Sequence, residues 1–115
     1  MLAAGFGPIS EVVDMIRVII EREIAEELEK YYEAAVAELL DVMADAPGYL
    51  AGESLVEIQR PNHYVVVTRW ASEDAWNRWF HSNERQEVLD RIRPFMQHEE
   101  RILVLRQVLY QRDMN

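Results

Sequence analysis

Residues 64–82 read YVVVTRWASEDAWNRWFHS and contain two secondary-structure signals in close succession. The first seven residues are rich in β-branched and aromatic side chains, which is typical of a strand that ends at Trp70. Ser72 is a suitable helix N-cap, and the acidic Glu73 and Asp74 suit the first turn of a helix. We therefore predict a strand over 64–70, followed at once by a helix whose buried face carries Ala75, Trp76, Trp79 and Phe80.

The rest of the chain continues the same alternation of strands and helices. The remaining predicted elements are a strand at 15–23, a helix at 25–46, strands at 49–59 and 101–110, and a further helical segment at 84–93. Pro47 and Gly48 end the first helix, residues 60–63 are the predicted turn of a hairpin, and Ser82 and Asn83 interrupt the second helical region. The order β-α-β-β-α-β predicts an α+β, ferredoxin-like antiparallel sheet with its helices on one face.

A chain of 115 residues, half of them hydrophobic, is long enough for one domain with a core of its own. We place that domain at 15–110. Residues 1–14 are predicted to be an N-terminal arm, because Gly5, Gly7 and Pro8 interrupt any regular element there. Residues 111–115 are a short C-terminal tail.

Both faces of the predicted sheet are apolar. In the last strand Ile102 and Val104 point to one face, while Leu103 and Leu105 point to the other. The helices can cover only one of these faces, so a monomer would expose the second to water. We expect a homodimer that closes sheet on sheet, the alternative being that residues 1–14 fold over the open face.

Composition excludes several classes of function. The net charge is −9, which disfavours binding to nucleic acid or to an anionic membrane. The chain has no cysteine, so disulfides, thiolate catalysis and Cys-based metal sites are excluded. No apolar run is long enough to span a membrane, and residues 1–14 do not read as a signal peptide. A soluble, cytoplasmic protein is the expectation.

The tryptophans are the candidate binding residues. Trp70, Trp76 and Trp79 lie within ten residues of one another, and with Phe80 they could line a pocket between helix and sheet that stacks a flat aromatic ligand. Tyr64 and Val66 share the strand face of Trp70 and complete the predicted substrate-binding set. The alternative is that these side chains are simply core.

Histidine provides the candidate catalytic group. His81 ends the tryptophan-bearing helix, where it could act as a proton acceptor or an axial ligand at the mouth of the pocket, or be only a helix cap or surface residue. His63 and His98 fall in predicted loops and are expected to be solvated, and no spacing among the histidines predicts a metal site. Arg85, on the next helical segment, is expected to pair with acidic neighbours on that helix, the alternative being that it meets a carboxylate of a ligand.

The chain resembles the antibiotic biosynthesis monooxygenase (ABM) family over about residues 15–109. The similarity rests on Pro47-Gly48-Tyr49 and above all on VVVTRWASEDAWNRWFHS at 65–82, in which a strand ends in Trp70 and Ser72 caps a helix. The resemblance implies a dimeric α+β barrel. It also implies an oxidoreductase, a monooxygenase that oxidises a flat phenolic or quinol substrate without a cofactor, with Trp70 at the substrate.

The same resemblance leaves two alternatives open. Trp79 matches the tryptophan that presses on the porphyrin in haem-degrading members, so haem is a possible ligand; the other alternative is a non-catalytic module that binds an aromatic molecule. The chain departs from both enzyme branches. Trp76 and Val66 stand where the polyketide oxygenases carry a tyrosine and an asparagine, and Val88 or Leu89 stands where the haem-degrading enzymes carry the axial histidine.

Overall fold

The computed structural model describes residues 15–108 and has the predicted α+β, ferredoxin-like architecture. The predicted arm (1–14), the tail (111–115) and the last two residues of the predicted final strand lie outside the described residues. The elements in chain order are β1 (Ile16–Glu23), α1 (Glu29–Met43), β2 (Tyr49–Glu57), β3 (Arg60–Trp70), α2 (Glu73–Phe80), α3 (Asn83–Ile92), a 3-10 turn (Arg93–Phe95) and β4 (Arg101–Arg106). No helix in this part of the chain is long and apolar enough to cross a membrane.

The four strands form one antiparallel sheet in the order β2-β3-β1-β4, and the two faces of that sheet differ sharply. Val18 in the central strand β1 pairs with Thr68 in β3, and both are buried under the helices. Ile19 pairs with Val67 and with Leu103 on the opposite, outer face. No helix covers the outer face in the described structure. The register places the charged Arg17, Glu21, Glu53 and Arg69 there beside the apolar residues, so this face is mixed and not wholly apolar as expected. The most exposed of its large apolar side chains are Leu55 at 47% and Leu105 at 42%.

Helix α1 is shorter than the predicted helix at 25–46. Ala25 accepts a hydrogen bond from the Leu28 N–H at 3.1 Å, which closes a turn before the helix begins. Within that turn Glu27 has φ of +75°, a left-handed conformation that no α-helix accommodates. At its other end the helix stops at Met43 and is followed by turns as far as Ala46. It cannot continue, because Pro47 comes next and Gly48 has a φ of +86°.

The hairpin turn lies earlier than predicted. Ile58 and Gln59 form the turn, and the predicted turn residues 60–63 belong to β3. Pro61 is tolerated in this strand because it lies where the β2–β3 register is irregular, so no regular ladder hydrogen bond is lost. His63 is therefore a strand residue rather than a loop residue, and its ring contacts Glu57 at 2.8 Å and Glu21 at 3.2 Å.

The last strand is also shorter than predicted. Arg106 at the end of β4 pairs with Ile16, the first residue of β1, and residues 15–108 supply no partner strand beyond this point. Val108, predicted to lie in the strand, is outside it and 87% exposed. The predicted break before the third helix is confirmed, since the Ser82 hydroxyl accepts a hydrogen bond from the Arg85 N–H at 3.1 Å and caps α3.

A buried ion cluster joins the sheet to α3. Arg22 on β1 is 1% exposed and donates from Nε to Glu100 at 2.8 Å and from Nη1 to the Tyr32 hydroxyl at 3.1 Å. Arg85 pairs with the other oxygen of Glu100, not with the neighbours on its own helix as expected. Burial alone would raise the pKa of Glu100, but the two guanidinium groups outweigh it and hold that pKa below its ordinary value of 4.5.

Glu100→Gln should test the contribution of this cluster. The change leaves two buried guanidinium groups without a counter-charge, so we expect a loss of about 3–5 kcal/mol in the free energy of unfolding at pH 7, measured by urea denaturation. Because folding lowers the pKa of Glu100, the charge stabilises the wild type above the unfolded pKa. That stabilisation is lost as the pH falls through the folded value. The difference in the free energy of unfolding between wild type and Glu100→Gln should therefore become smaller below about pH 4.5.

Glu38→Gln is the matched control, since Glu38 pairs with Arg91 where both side chains are more than half exposed. An exposed pair contributes at most about 1 kcal/mol. Equal losses in the two variants would contradict a special role for the buried cluster.

Candidate functional site

The three tryptophans form one packed cluster where β3 meets α2. Trp70, Trp76 and Trp79 are 0%, 3% and 5% exposed. The Trp70 and Trp79 rings stack with centroids 6.3 Å apart, and Trp76 meets Trp70 edge-on at 5.7 Å. Tyr49 packs edge-on against the remaining side of Trp70 at 5.4 Å. The sequence prediction that these rings come together is therefore met by the geometry.

Local sequence explains the position of α2. The Ser72 hydroxyl accepts a hydrogen bond from the Ala75 N–H at 3.1 Å and starts the helix directly after β3. Ala75 then packs against Gly48, where an added Cβ would lie 2.4 Å from the Ala75 methyl group. The Gly48 carbonyl also accepts a hydrogen bond from the Ala71 N–H at 2.7 Å. This close approach holds the end of α1 against the start of α2.

A cavity of about 390 Å³ lies between the end of α1 and α2. From the α1 side its walls are Val42, Asp45, Ala46 and Pro47. From α2, the turn that follows it and the first turn of α3 they are Ala75, Arg78, Trp79, Ser82 and Glu84. Trp79 is the tryptophan of the cluster that reaches this cavity, while Trp70 stands behind it in the core.

The indole N–H groups of the cluster differ in their partners. Trp70 Nε1 donates to the Thr68 hydroxyl at 2.9 Å. Among the described residues, Trp79 Nε1 is the one buried side-chain nitrogen or oxygen without a hydrogen-bond partner. Leaving such a donor unpaired costs about 1–3 kcal/mol.

The other predicted binding residues lie away from the cavity. Val66 is 1% exposed and belongs to the core under the helices. Tyr64 packs on Tyr32 with centroids 4.6 Å apart, and its hydroxyl donates to Glu33 at 2.6 Å. Burial, then the hydrogen bond to Glu33, raises the pKa of Tyr64 well above its ordinary value. Phe80 packs against Trp76 at 5.7 Å and does not line the cavity either.

His81 is exposed at the C-terminal end of α2 and is not part of the cavity wall. Its Nδ1 lies 2.8 Å from the Asn77 carbonyl oxygen. A carbonyl only accepts, so the neutral ring carries its proton on Nδ1 and presents an unprotonated Nε2 to solvent. The ring also meets Phe80 edge-on at 5.0 Å. In this form the residue can accept a proton at Nε2.

Sequence reasoning missed half of the cavity. The carboxylates of Asp45 and Glu84 and the guanidinium of Arg78 lie on its walls, yet nothing in their spacing distinguishes them from ordinary surface charges. The end of α1 joins α2 only in three dimensions, and the Pro47-Gly48 signal predicted a helix end without predicting what it contacts. Within residues 15–108, no group of three or more acidic or histidine side chains comes together to hold a metal ion.

Fold and site together define a small α+β protein with a cavity set against a tryptophan-rich core. The family model for antibiotic biosynthesis monooxygenase matches residues 15–91, and the chain belongs to that family. A comparison with curated proteins gives no match.

Several solved structures share the fold at low sequence identity. A conserved protein from Methanosarcina mazei Go1 is similar with a TM-score of 0.80 and 15% identity, over 87% of this chain and 99% of that one. The SnoaB structure, a cofactor-independent oxygenase from Streptomyces nogalater, is similar with a TM-score of 0.72 and 20% identity, over 85% and 99%. A structure from Bordetella bronchiseptica described as an antibiotic biosynthesis monooxygenase gives 0.76 and 22%, over 84% and 99%.

Thr68→Val should test how the core behind the cavity is held. The substitution keeps the shape of the side chain but leaves the buried Trp70 N–H without its acceptor, so we expect a loss of about 1–3 kcal/mol in the free energy of unfolding. In a Trp70→Phe background, which has no donor, the same change should cost much less. Urea denaturation of the four proteins completes the double-mutant cycle. Equal costs in both backgrounds would show that the hydrogen bond contributes nothing.

Proposed function

We propose that this chain is an oxygenase that acts on a flat phenolic or quinol substrate without a bound cofactor, and that the substrate lies in the cavity beside Trp79. The observation that carries the proposal is the cavity itself: it opens against Trp79, whose ring stacks on the buried Trp70, in a chain of the antibiotic biosynthesis monooxygenase family. The similarity to the cofactor-independent SnoaB supports the same class of reaction.

The apolar residues that line the cavity are suited to binding a flat aromatic ligand. Val42, Ala46 and Pro47 supply apolar surface on one side and the Trp79 ring supplies it on the other. A flat ring that enters displaces water from these surfaces and gains contact with an indole already fixed by its stacking on Trp70. A rigid wall of this kind binds without first having to order its own side chains.

The chemistry requires only that the substrate be held and deprotonated. A phenolate can pass electrons to O₂ directly. One oxygen atom then becomes bonded to a ring carbon as a carbonyl oxygen, and the other leaves as water with two hydrogens from the substrate. The substrate supplies all the electrons, so the balance needs no further reductant. The protein contributes position, a proton acceptor and exclusion of water.

His81 is our proposed proton acceptor. It is not part of the cavity wall but lies between the wall residues Trp79 and Ser82, and its Nδ1 is engaged by the Asn77 carbonyl, which leaves Nε2 available as the base. Asp45 is the competing group because it lines the cavity. His81→Asn should lower turnover with little effect on binding, whereas the same result with Asp45→Asn, and none with His81→Asn, would transfer the role to the carboxylate.

We further propose that the protein is a homodimer that buries the outer face of the sheet. Ile19, Val65, Val67 and Leu103 form a continuous apolar surface there, with Leu105 at the edge. A second copy presents the same surface about a two-fold axis and so covers it with side chains of matching chemistry. Residues 1–14 are the alternative cover.

Light scattering at micromolar concentration should therefore give twice the mass of one chain. Val67→Glu places a charge in the middle of the outer face and should give a folded monomer. Gln86→Glu, on the exposed side of α3, adds the same charge elsewhere and should leave the dimer intact. A wild-type monomer, or a dimer that survives Val67→Glu, would overturn the sheet-on-sheet arrangement.

The oxygenase proposal is tested by oxygen uptake with a panel of phenols and quinols. Trp79→Ala should weaken binding of an active compound at least about fivefold, equivalent to roughly 1 kcal/mol of lost stacking. Tyr31→Ala is the matched control, because it removes an exposed aromatic ring that is not in the cavity wall. Binding without oxygen uptake would indicate a non-catalytic module, and a saturable Soret band with added haemin would indicate a haem protein.

A further inference from the structure

Two arginines lie side by side on the outer face of the sheet. The register places Arg17 of β1 directly opposite Arg69 of β3, and both side chains are exposed. Directly opposite residues on neighbouring strands have Cβ atoms about 5 Å apart, and like charges in that position destabilise a sheet. Within residues 15–108, neither guanidinium forms an ion pair or a hydrogen bond.

The two arginines line a concavity of about 440 Å³ in this face. Its other walls come from β2 and β3 and include one carboxylate; they are Ala51, Gly52, Glu53 and Val67. Glu53 lies opposite Val67 in the register and forms no ion pair with either arginine. One neighbouring carboxylate would in any case neutralise only one of the two guanidinium groups, so the pair has room for a further negative group.

A carboxylate with a free oxygen lies towards the other end of the same face. Glu21 follows Arg17 by four residues on β1, so both side chains point to the outer face. Its Oε1 is 3.2 Å from the His63 ring, its Oε2 is not engaged by any described residue, and Arg101, opposite it on β4, does not pair with it. At about 3.3 Å per residue, Arg17 and Glu21 are about 13 Å apart, too far to pair within one copy.

We propose that, in the homodimer, Arg17 and Arg69 of one copy pair with the partner's Glu21, so that the two sheets stack with their strands antiparallel. The inference rests on the dimer proposed above and adds the orientation of the two copies. It also accounts for the charges on a face that the dimer buries, because a charge buried without a partner is strongly destabilising.

Two-fold symmetry distinguishes the two aligned ways of stacking the sheets. An axis along the strands lays each end of the face on the same end of the partner, which brings both pairs of guanidinium groups together. An axis across the strands lays opposite ends on each other. Arg17 and Glu21 are each two residues from Ile19, so an axis over Ile19 places Arg17 on the partner's Glu21. By symmetry the reverse contact forms as well.

A double-mutant cycle on the dissociation constant of the dimer tests this pairing. Arg17→Gln and Glu21→Gln each remove one charge from a side chain that is not buried, and circular dichroism checks the fold of each variant. We expect each single substitution to raise Kd about tenfold in sedimentation experiments at physiological ionic strength. The double variant should be at most about threefold weaker than either single variant. At this salt concentration charges 13 Å apart on one surface are largely screened, so such coupling arises across the interface.

Glu53→Gln is the matched control, since it removes the same charge from the concavity that Arg17 lines. Its effect on Kd should add to that of Arg17→Gln, because the two residues belong to different contacts. Coupling of Arg17 to Glu53 in place of Glu21 would overturn the antiparallel stacking and indicate sheets that cross at a large angle.

Cross-linking tests the same geometry without using charge. The chain has no cysteine, so Arg17→Cys and Glu21→Cys each introduce a single thiol. In antiparallel stacking the two altered positions face each other, whereas each is offset by about 13 Å from its own counterpart. A short bismaleimide should therefore link an equal mixture of the two variants, after subunit exchange, much more than either variant alone. Efficient linking of Arg17→Cys alone would place the two arginine ends together and overturn the proposal.

The outcomes separate this inference from the dimer on which it rests. If wild type is a dimer but the effects of Arg17→Gln and Glu21→Gln simply add, the pairing is refuted while the dimer stands. If wild type is a monomer in light scattering, the dimer is wrong and the inference is overturned with it, which leaves residues 1–14 as the cover of this face.

Discussion

Trp70 is wholly buried at the end of β3, and the short helix that follows owes its position to contacts with this side chain. Burial of a ring of about 150–250 Å² contributes roughly 4–6 kcal/mol at ~25 cal/mol per Å². Since α2 begins almost directly after β3, that contact can form only if the chain reverses and lays Trp76 and Trp79 back onto Trp70. The cavity lies beside this layer, so its aromatic wall is fixed by the same packing that joins sheet to helix.

The other side of the helix layer is held by charge. Arg22 and Arg85 converge on Glu100, which ties β1, α3 and the segment before β4 together. Burying one carboxylate and two guanidinium groups carries a large desolvation penalty. Hydrogen bonds among these groups offset that penalty, together with the one that Arg22 donates to the Tyr32 hydroxyl. Removing one partner of this ion cluster leaves a buried charge without compensation, so the cluster anchors its side of the helix layer.

Local signals were enough to predict the order of elements, because Ser72 and Ser82 cap their helices and the strand over 64–70 alternates cleanly. They were insufficient wherever a distant contact decides the outcome. The Ala25 N–H donates to the distant Phe95 carbonyl at 2.8 Å just before the turn at Glu27 that shortens α1, and the partner of Arg85 lies on a loop beyond its helix. The site shows the same division: the tryptophans were found from their spacing, but the wall contributed by the end of α1 could be found only from the fold.

Trp79 stands between two roles that sequence reasoning treated as alternatives, core side chain and pocket wall. Its ring is core, since it stacks on Trp70 and is 5% exposed. Its N–H is a cost to the core, because a phenylalanine would supply the stacking surface without a buried unpaired donor. Departures from good packing chemistry are expected at functional sites. The Trp79 ring stacks on Trp70 and also lines the cavity, so one side chain is both core and wall, and the choice between core and pocket does not have to be made.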